Sequence, residues 1–187
     1  MNAPAAPPSS PFVHLHVKSQ YTLLGALGGP KEYVKQAEAL GMRSLALTDE
    51  MALFGAVEFY TAAKKAGIHP VIGAELIVAP VSRLEKNKAR ENHRLVALIQ
   101  DEDGFVFLNH LLSEAYLHGR HYVPRIDMDL LRELVGAGHR GLIFLSGDLR
   151  GMVPRLLASG RDADAQAFAE EMDALVGRDN FFLEMMD

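Results

Sequence analysis

The chain has 187 residues, of which 49% are hydrophobic and 23% charged, ordinary globular usage that excludes a fibrous repeat or a disordered polyelectrolyte and suits one domain with a sizeable core. Its formal net charge is −5 and no run of Lys or Arg interrupts it, so the phosphate-neutralising surface that duplex binding relies on is missing. Cysteine is absent, which removes disulfides and thiolate zinc sites, agrees with a reducing cytoplasm, and leaves His and carboxylates as the donors for any metal.

In chain order, the opening MNAPAAPPSSP is too rich in Pro, Ala and Ser for a helix or a ladder, so residues 1–11 read as a disordered leader and the domain as 12–187. Phe12–Val17 reads as a first strand. The stretch Lys31–Leu40 puts Val34, Ala37 and Leu40 on one helical face and stops at Gly41. A second strand, Ser44–Leu47, is followed by a helix over Ala56–Ala66 that Gly67 ends, and Pro70 opens a third strand at Val71–Val78. Leu95–Ile99 reads as a strand, Phe105–His118 as a helix, and Asp127 as the N-cap of a helix burying Leu130, Leu131 and Leu134. Strands at Gly141–Leu145 and Phe181–Glu184 complete the series. This alternation predicts an α/β fold with parallel strands, as an open doubly wound sheet or a closed barrel, whose reactive groups gather beyond the C-terminal strand ends. No apolar run approaches the roughly 20 residues that span a bilayer, and no basic segment precedes an apolar one, which predicts a cytoplasmic protein without a membrane partner.

The strand ends carry the chemistry. His14 and His16 are two apart on the first strand, so an extended backbone turns both imidazoles to one face; they fit a shared metal or pairing with backbone groups about equally. Asp49 and Glu50 end the second strand, where a helix cap or a ligand is equally at home. Glu75 lies inside an apolar run and needs a cation, which a buried Arg or a metal could supply; the histidines favour the metal. His93 and Asp148 are weaker candidates, and an Asx-turn or a cap explains Asp148 as well as coordination does. His69, His110, His118, His121 and His139 fall on helices or loops and take a solvated surface role.

The blocks Phe12-Val-His-Leu-His16, Tyr21-Thr-Leu-Leu24, Leu45-Ala-Leu-Thr-Asp49 and Phe54-Gly-Ala-Val-Glu-Phe-Tyr60 resemble the polymerase and histidinol phosphatase (PHP) domain that opens bacterial DNA polymerase III alpha subunits. The resemblance continues through Gly67–Glu75, Pro124–Asp127, Gly141–Gly147 and Asn180–Glu184, everything after the leader, and leans to the replicative over the error-prone form. It implies a distorted (β/α)7, TIM-like barrel with up to three zinc or manganese ions. It also implies partners: the remainder of the alpha subunit with its palm and thumb, a docked proofreading epsilon subunit, and DNA reached only through the full-length polymerase. Some members of the family use the metals for 3′–5′ proofreading, while in others the site is degenerate.

Departures from the family pattern point to the degenerate case. Leu23-Leu24-Gly25-Ala26 lacks the family's Asp, Glu50 stands where the family has a metal-binding His, and Arg94 falls on the family's strand-four His, with His93 one residue out of register. Asp148 takes a position often filled by Cys or His, and the final Asp-x-His block lies beyond Asp187, leaving the barrel incomplete at its C-terminus as in a truncated or split gene product. The resemblance therefore implies zinc or manganese held partially or lost, His14, His16 and Glu75 as the remaining ligands, weak or no hydrolysis, and a mainly structural role, with a stand-alone phosphoesterase or exonuclease as the alternative.

Overall fold

A computed structural model describes residues 12–86 and 91–185; the leader expected at 1–11 lies outside the described residues. The chain divides into two compact units, Met1–Gly73 and Ala74–Asp187.

The first unit holds α1 (Pro30–Ala39), β1 (Ser44–Glu50), α2 (Ala56–Ala66) and the first half of β2 (His69–Val78). Pro30 at the first helical position starts α1, where its missing N–H is no loss, and the Glu32 carboxylate accepts from Gly29 N at 3.0 Å. Gly67 ends α2 in the left-handed conformation (φ 71°) as the sequence predicts. The apolar faces of both helices meet β1 in a core of Val34, Ala37, Leu45, Leu47, Phe59, Ala63 and Ile68.

Phe12–Val17 differs from its expected form, because no strand is assigned there. The segment runs beside β1, with Ala46 N donating to His14 O and Thr48 N to Val17 O. Val17 N, however, donates to the Thr48 hydroxyl at 2.9 Å. A side chain thus takes the place of a backbone carbonyl, and the ladder does not form.

The second unit holds the rest of β2, then β3 (His93–Ile99), α3 (Glu102–Leu117), α4 (Met128–Gly136), β4 (Leu142–Leu145), α5 (Met152–Ala158), α6 (Asp162–Val176) and β5 (Phe181–Phe182). Asp101 caps α3 by accepting from Gly104 N at 2.9 Å, so this helix begins three residues before the expected Phe105. Asp127 caps α4 as expected, accepting from Leu130 N at 2.8 Å. Two helices had no counterpart in the sequence reading. In α5, Pro154 falls in the first turn, where proline is tolerated, and α6 buries only Ala165, Met172 and Val176, too narrow a stripe to stand out.

Strand order in the sheet is β1-β2-β3-β4-β5. β4 lies antiparallel to β3, with Ala97 opposite Phe144, and parallel to β5, with Phe144 opposite Phe181. The sheet is therefore mixed, not all-parallel as the strand-helix alternation predicts: the chain re-enters as β4 only after the α3–α4 pair has reversed its direction. β5 is short because the Ser146 hydroxyl, not a carbonyl, accepts from Glu184 N at 2.9 Å. No helix of the described residues is long and apolar enough to cross a membrane.

Candidate functional site

Each unit carries its own set of the candidate residues. In the first, β1 delivers Asp49 to a buried position (2% exposed). Its Oδ1 accepts from Ser19 N at 2.6 Å and Thr22 Oγ1 at 2.7 Å, and its Oδ2 accepts from Ser19 Oγ at 2.8 Å. The Thr22 hydroxyl in turn accepts from Glu50 N at 3.0 Å. A carboxylate that binds three protein donors organises the 19–22 turn, a structural task neither a cap nor a ligand describes. Gly55, at the start of α2, permits this closeness, since a Cβ there would lie 2.9 Å from Tyr21 Cδ2 and 3.3 Å from Asp49 Oδ2. Directly after Glu50, buried Met51 sits at φ 51°, a strained conformation for a side chain of that size.

His14 is exposed, meets Phe12 edge-on at 4.8 Å, and borders a groove with Tyr33, Ala37, Leu40 and Met42. A bend falls at half-buried His16.

In the second unit, Glu75 is fully buried (0% exposed). Its Oε1 lies 3.0 Å from Arg94 Nε and 3.7 Å from Arg150 Nη2. The cation required by a buried carboxylate is thus a guanidinium, the option that ranked second to a metal in the sequence reading. Arg150 is shared with Asp148, whose Oδ2 accepts from Arg150 Nη2 at 2.8 Å while its Oδ1 accepts from Arg150 N at 2.8 Å. The latter bond is an Asx-turn, one of the two structural roles expected of Asp148. Gly147 makes the approach possible at φ 80°, where a Cβ would lie 2.7 Å from Arg94 O.

His93, one residue before Arg94, lies apart from this network and lines a pocket of about 740 Å3 with Pro80, Glu91, Met152, Arg155 and Phe168. Strand alternation separates the two neighbours. Burial lowers the His93 pKa, the nearby Arg155 charge lowers it further, and Glu91 opposes both; its buried Nδ1 has no hydrogen-bond partner.

The arrangement does not fit a bound cation. Asp49 is engaged by three donors, Glu75 and Asp148 are engaged by guanidiniums, and among the described residues no three His, Asp or Glu side chains gather in a way that could hold a metal ion.

The strands and helices define a mixed α/β fold. The chain belongs to the PHP domain family, whose profile matches residues 14–187. It is 41% identical over 179 residues to a DNA polymerase III subunit alpha from Treponema pallidum, covering 94% of this chain and 15% of that protein. A DNA polymerase III subunit alpha from Chlamydia trachomatis is 46% identical over 145 residues, 76% of this chain and 11% of that one. The chain therefore spans about 15% or less of the curated relatives it matches. Among solved structures, a chain from Bifidobacterium adolescentis named for metal-dependent phosphoesterase activity superposes with a TM-score of 0.51 at 13% identity, covering 93% of this chain and 89% of that one.

Proposed function

We propose that the chain acts in DNA replication as the PHP module of a DNA polymerase III alpha subunit, with a degenerate metal site and a structural and docking role. The observation that carries this reading is the Glu75–Arg94 ion pair: a guanidinium 3.0 Å from the buried carboxylate supplies the positive charge that a metal would bring, and repels a second cation. No water is activated by such a site, because a guanidinium offers neither a Lewis-acid vacancy nor a proton to exchange at neutral pH. The retained work of the residues is positional: Asp49 fixes the 19–22 turn, and Glu75 with Asp148 fixes Arg94 and Arg150.

The likeness to alpha subunits supports the remainder of that subunit, with its palm and thumb, as the partner, and a proofreading epsilon subunit as a second one. DNA would be reached through the full polymerase in the cytoplasm, since the net charge of −5 gives the chain little electrostatic hold on phosphates by itself. In the same reading the sheet is part of a distorted (β/α)7 barrel. The alternative, a stand-alone phosphoesterase or 3′–5′ exonuclease using zinc or manganese at His14, His16 and Glu75, makes an opposite prediction in a simple assay. Hydrolysis of a generic phosphate ester and of single-stranded DNA is measured with added manganese or zinc for wild type and His14→Ala. Equal, background rates support the degenerate site; metal-dependent turnover lost in His14→Ala establishes the enzyme instead.

A further inference from the structure

We propose that His110 and His139 form a surface site for a divalent cation of the zinc class, built from residues outside the candidate site. His110 lies on α3, and His139 follows α4. His110 Nδ1 is 3.4 Å from His139 Nε2, and the ring centroids are 5.3 Å apart with planes at 80°. Two imidazole nitrogens bound at about 2.0–2.1 Å to one tetrahedral zinc lie about 3.3–3.4 Å from each other, and with the lone pairs aimed at the ion the centroids lie about 5.2 Å apart. Both observed separations match. Without an ion the same two nitrogens meet at hydrogen-bond distance, which keeps the rings facing each other.

The two rings are held before any ion arrives. His139 stacks on Phe107 at 5.3 Å and 24°, and Phe107 is buried. His139 N donates to Leu134 O at 3.1 Å, which ties its backbone to the end of α4. His110 occupies the middle of the 16-residue α3, beside buried Leu111. The charged neighbour is Arg140, whose Nη1 donates to Val135 O and His139 O, each at 2.7 Å. Its guanidinium is directed to carbonyls, and its charge weakens the site without blocking either nitrogen. Two protein ligands leave the remaining positions to water, so affinity is far below that of a four-ligand structural zinc site and the ion stays exchangeable.

The test is a titration of the untagged, full chain, labelled with 15N at histidine, with zinc chloride alone, followed through the ring nitrogen shifts. The expected result is one saturable site in which His110 Nδ1 and His139 Nε2 move to metal-bound shifts, with affinity falling at least tenfold in His110→Gln and in His139→Gln and unchanged in His118→Gln. Exposed His110 makes the first variant safe for folding, and circular dichroism checks each one. Zinc that leaves both rings unshifted, or that binds His110→Gln as tightly as wild type, overturns the proposal.

Discussion

Replacing Arg94 by Leu tests whether the guanidinium holds Glu75 in place. Glu75 is 0% exposed and Arg94 15% exposed at 3.0 Å, so removing the arginine leaves a desolvated carboxylate with Arg150 at 3.7 Å, itself 45% exposed. A half-exposed partner is screened and contributes on the order of 0–1 kcal/mol. Breaking a buried pair by deleting one member costs about 3–5 kcal/mol; with Arg150 still nearby, the lower end, about 3 kcal/mol, is the expected loss. For a chain of this size each kcal/mol moves the melting temperature by about 2–4 °C, so Arg94→Leu should melt about 6–12 °C below wild type. The measurement is thermal and urea unfolding at neutral pH, followed by circular dichroism. A second arm adds Glu75→Leu: with both charges gone, an apolar pair should recover most of the loss, because replacing a buried ion pair by packed hydrophobic residues is often neutral or better. If Arg94→Leu costs less than about 0.5 kcal/mol, in the range of an ordinary surface change, the pair does not hold the strand end and the reasoning fails.

Asp49→Ala orphans Ser19 N, Ser19 Oγ and Thr22 Oγ1; at about 1–3 kcal/mol for each buried group left unpaired, a loss of about 3 kcal/mol or more is expected in urea unfolding, with the turn rather than the sheet opening first by hydrogen exchange. Asp127→Ala removes both the α4 cap and the pair with Arg83 at 2.9 Å, whereas Asp101→Ala removes an exposed cap alone. Unfolding midpoints should place the first at about 3 kcal/mol and the second at about 1 kcal/mol. His93 has its pKa lowered by burial and by Arg155, so the unfolded chain takes up the proton first on acidification. Its contribution to stability is complete above the unfolded value of about 6.5 and is lost as pH falls from there toward the lower folded value. His93→Gln should flatten that part of the stability–pH curve, and an unchanged slope would show that His93 is not the group responsible.

The sequence was most informative where one residue's own chemistry decides the outcome. Glycine marked the ends of α1 and α2, Asp127 marked the start of α4, and the isolated Glu75 demanded a cation. What escaped depended on partners distant in the chain. Thr48 and Ser146 place hydroxyls where carbonyls would extend a ladder, so Phe12–Val17 has no assigned strand and β5 stops at Phe182. Apolar alternation shows which residues are extended but is blind to what accepts their N–H groups. Strand direction was equally hidden: the antiparallel β3–β4 pairing depends on where α3 and α4 return the chain. The identity of the cation beside Glu75 followed the same rule. Arg94 was legible as an intruding charge, but its preference for Glu75 over solvent, and the placing of His93 in a different pocket, are facts of packing.

On the proposed reading, a guanidinium in the place of a metal changes how the strand end depends on its surroundings. A metal-held carboxylate keeps its geometry only while the ion is supplied and the ligands are deprotonated, so stability is linked to metal concentration and pH. Arg94 is part of the chain, so its pairing with Glu75 at 3.0 Å is independent of supply. The arginine brings donors in one plane, where a metal accepts ligands from many directions. Gathering two imidazoles around the same point gains nothing from a group that only donates. In the second unit Asp148 pairs with Arg150; in the first, Asp49 fixes the turn that carries Ser19 and Thr22.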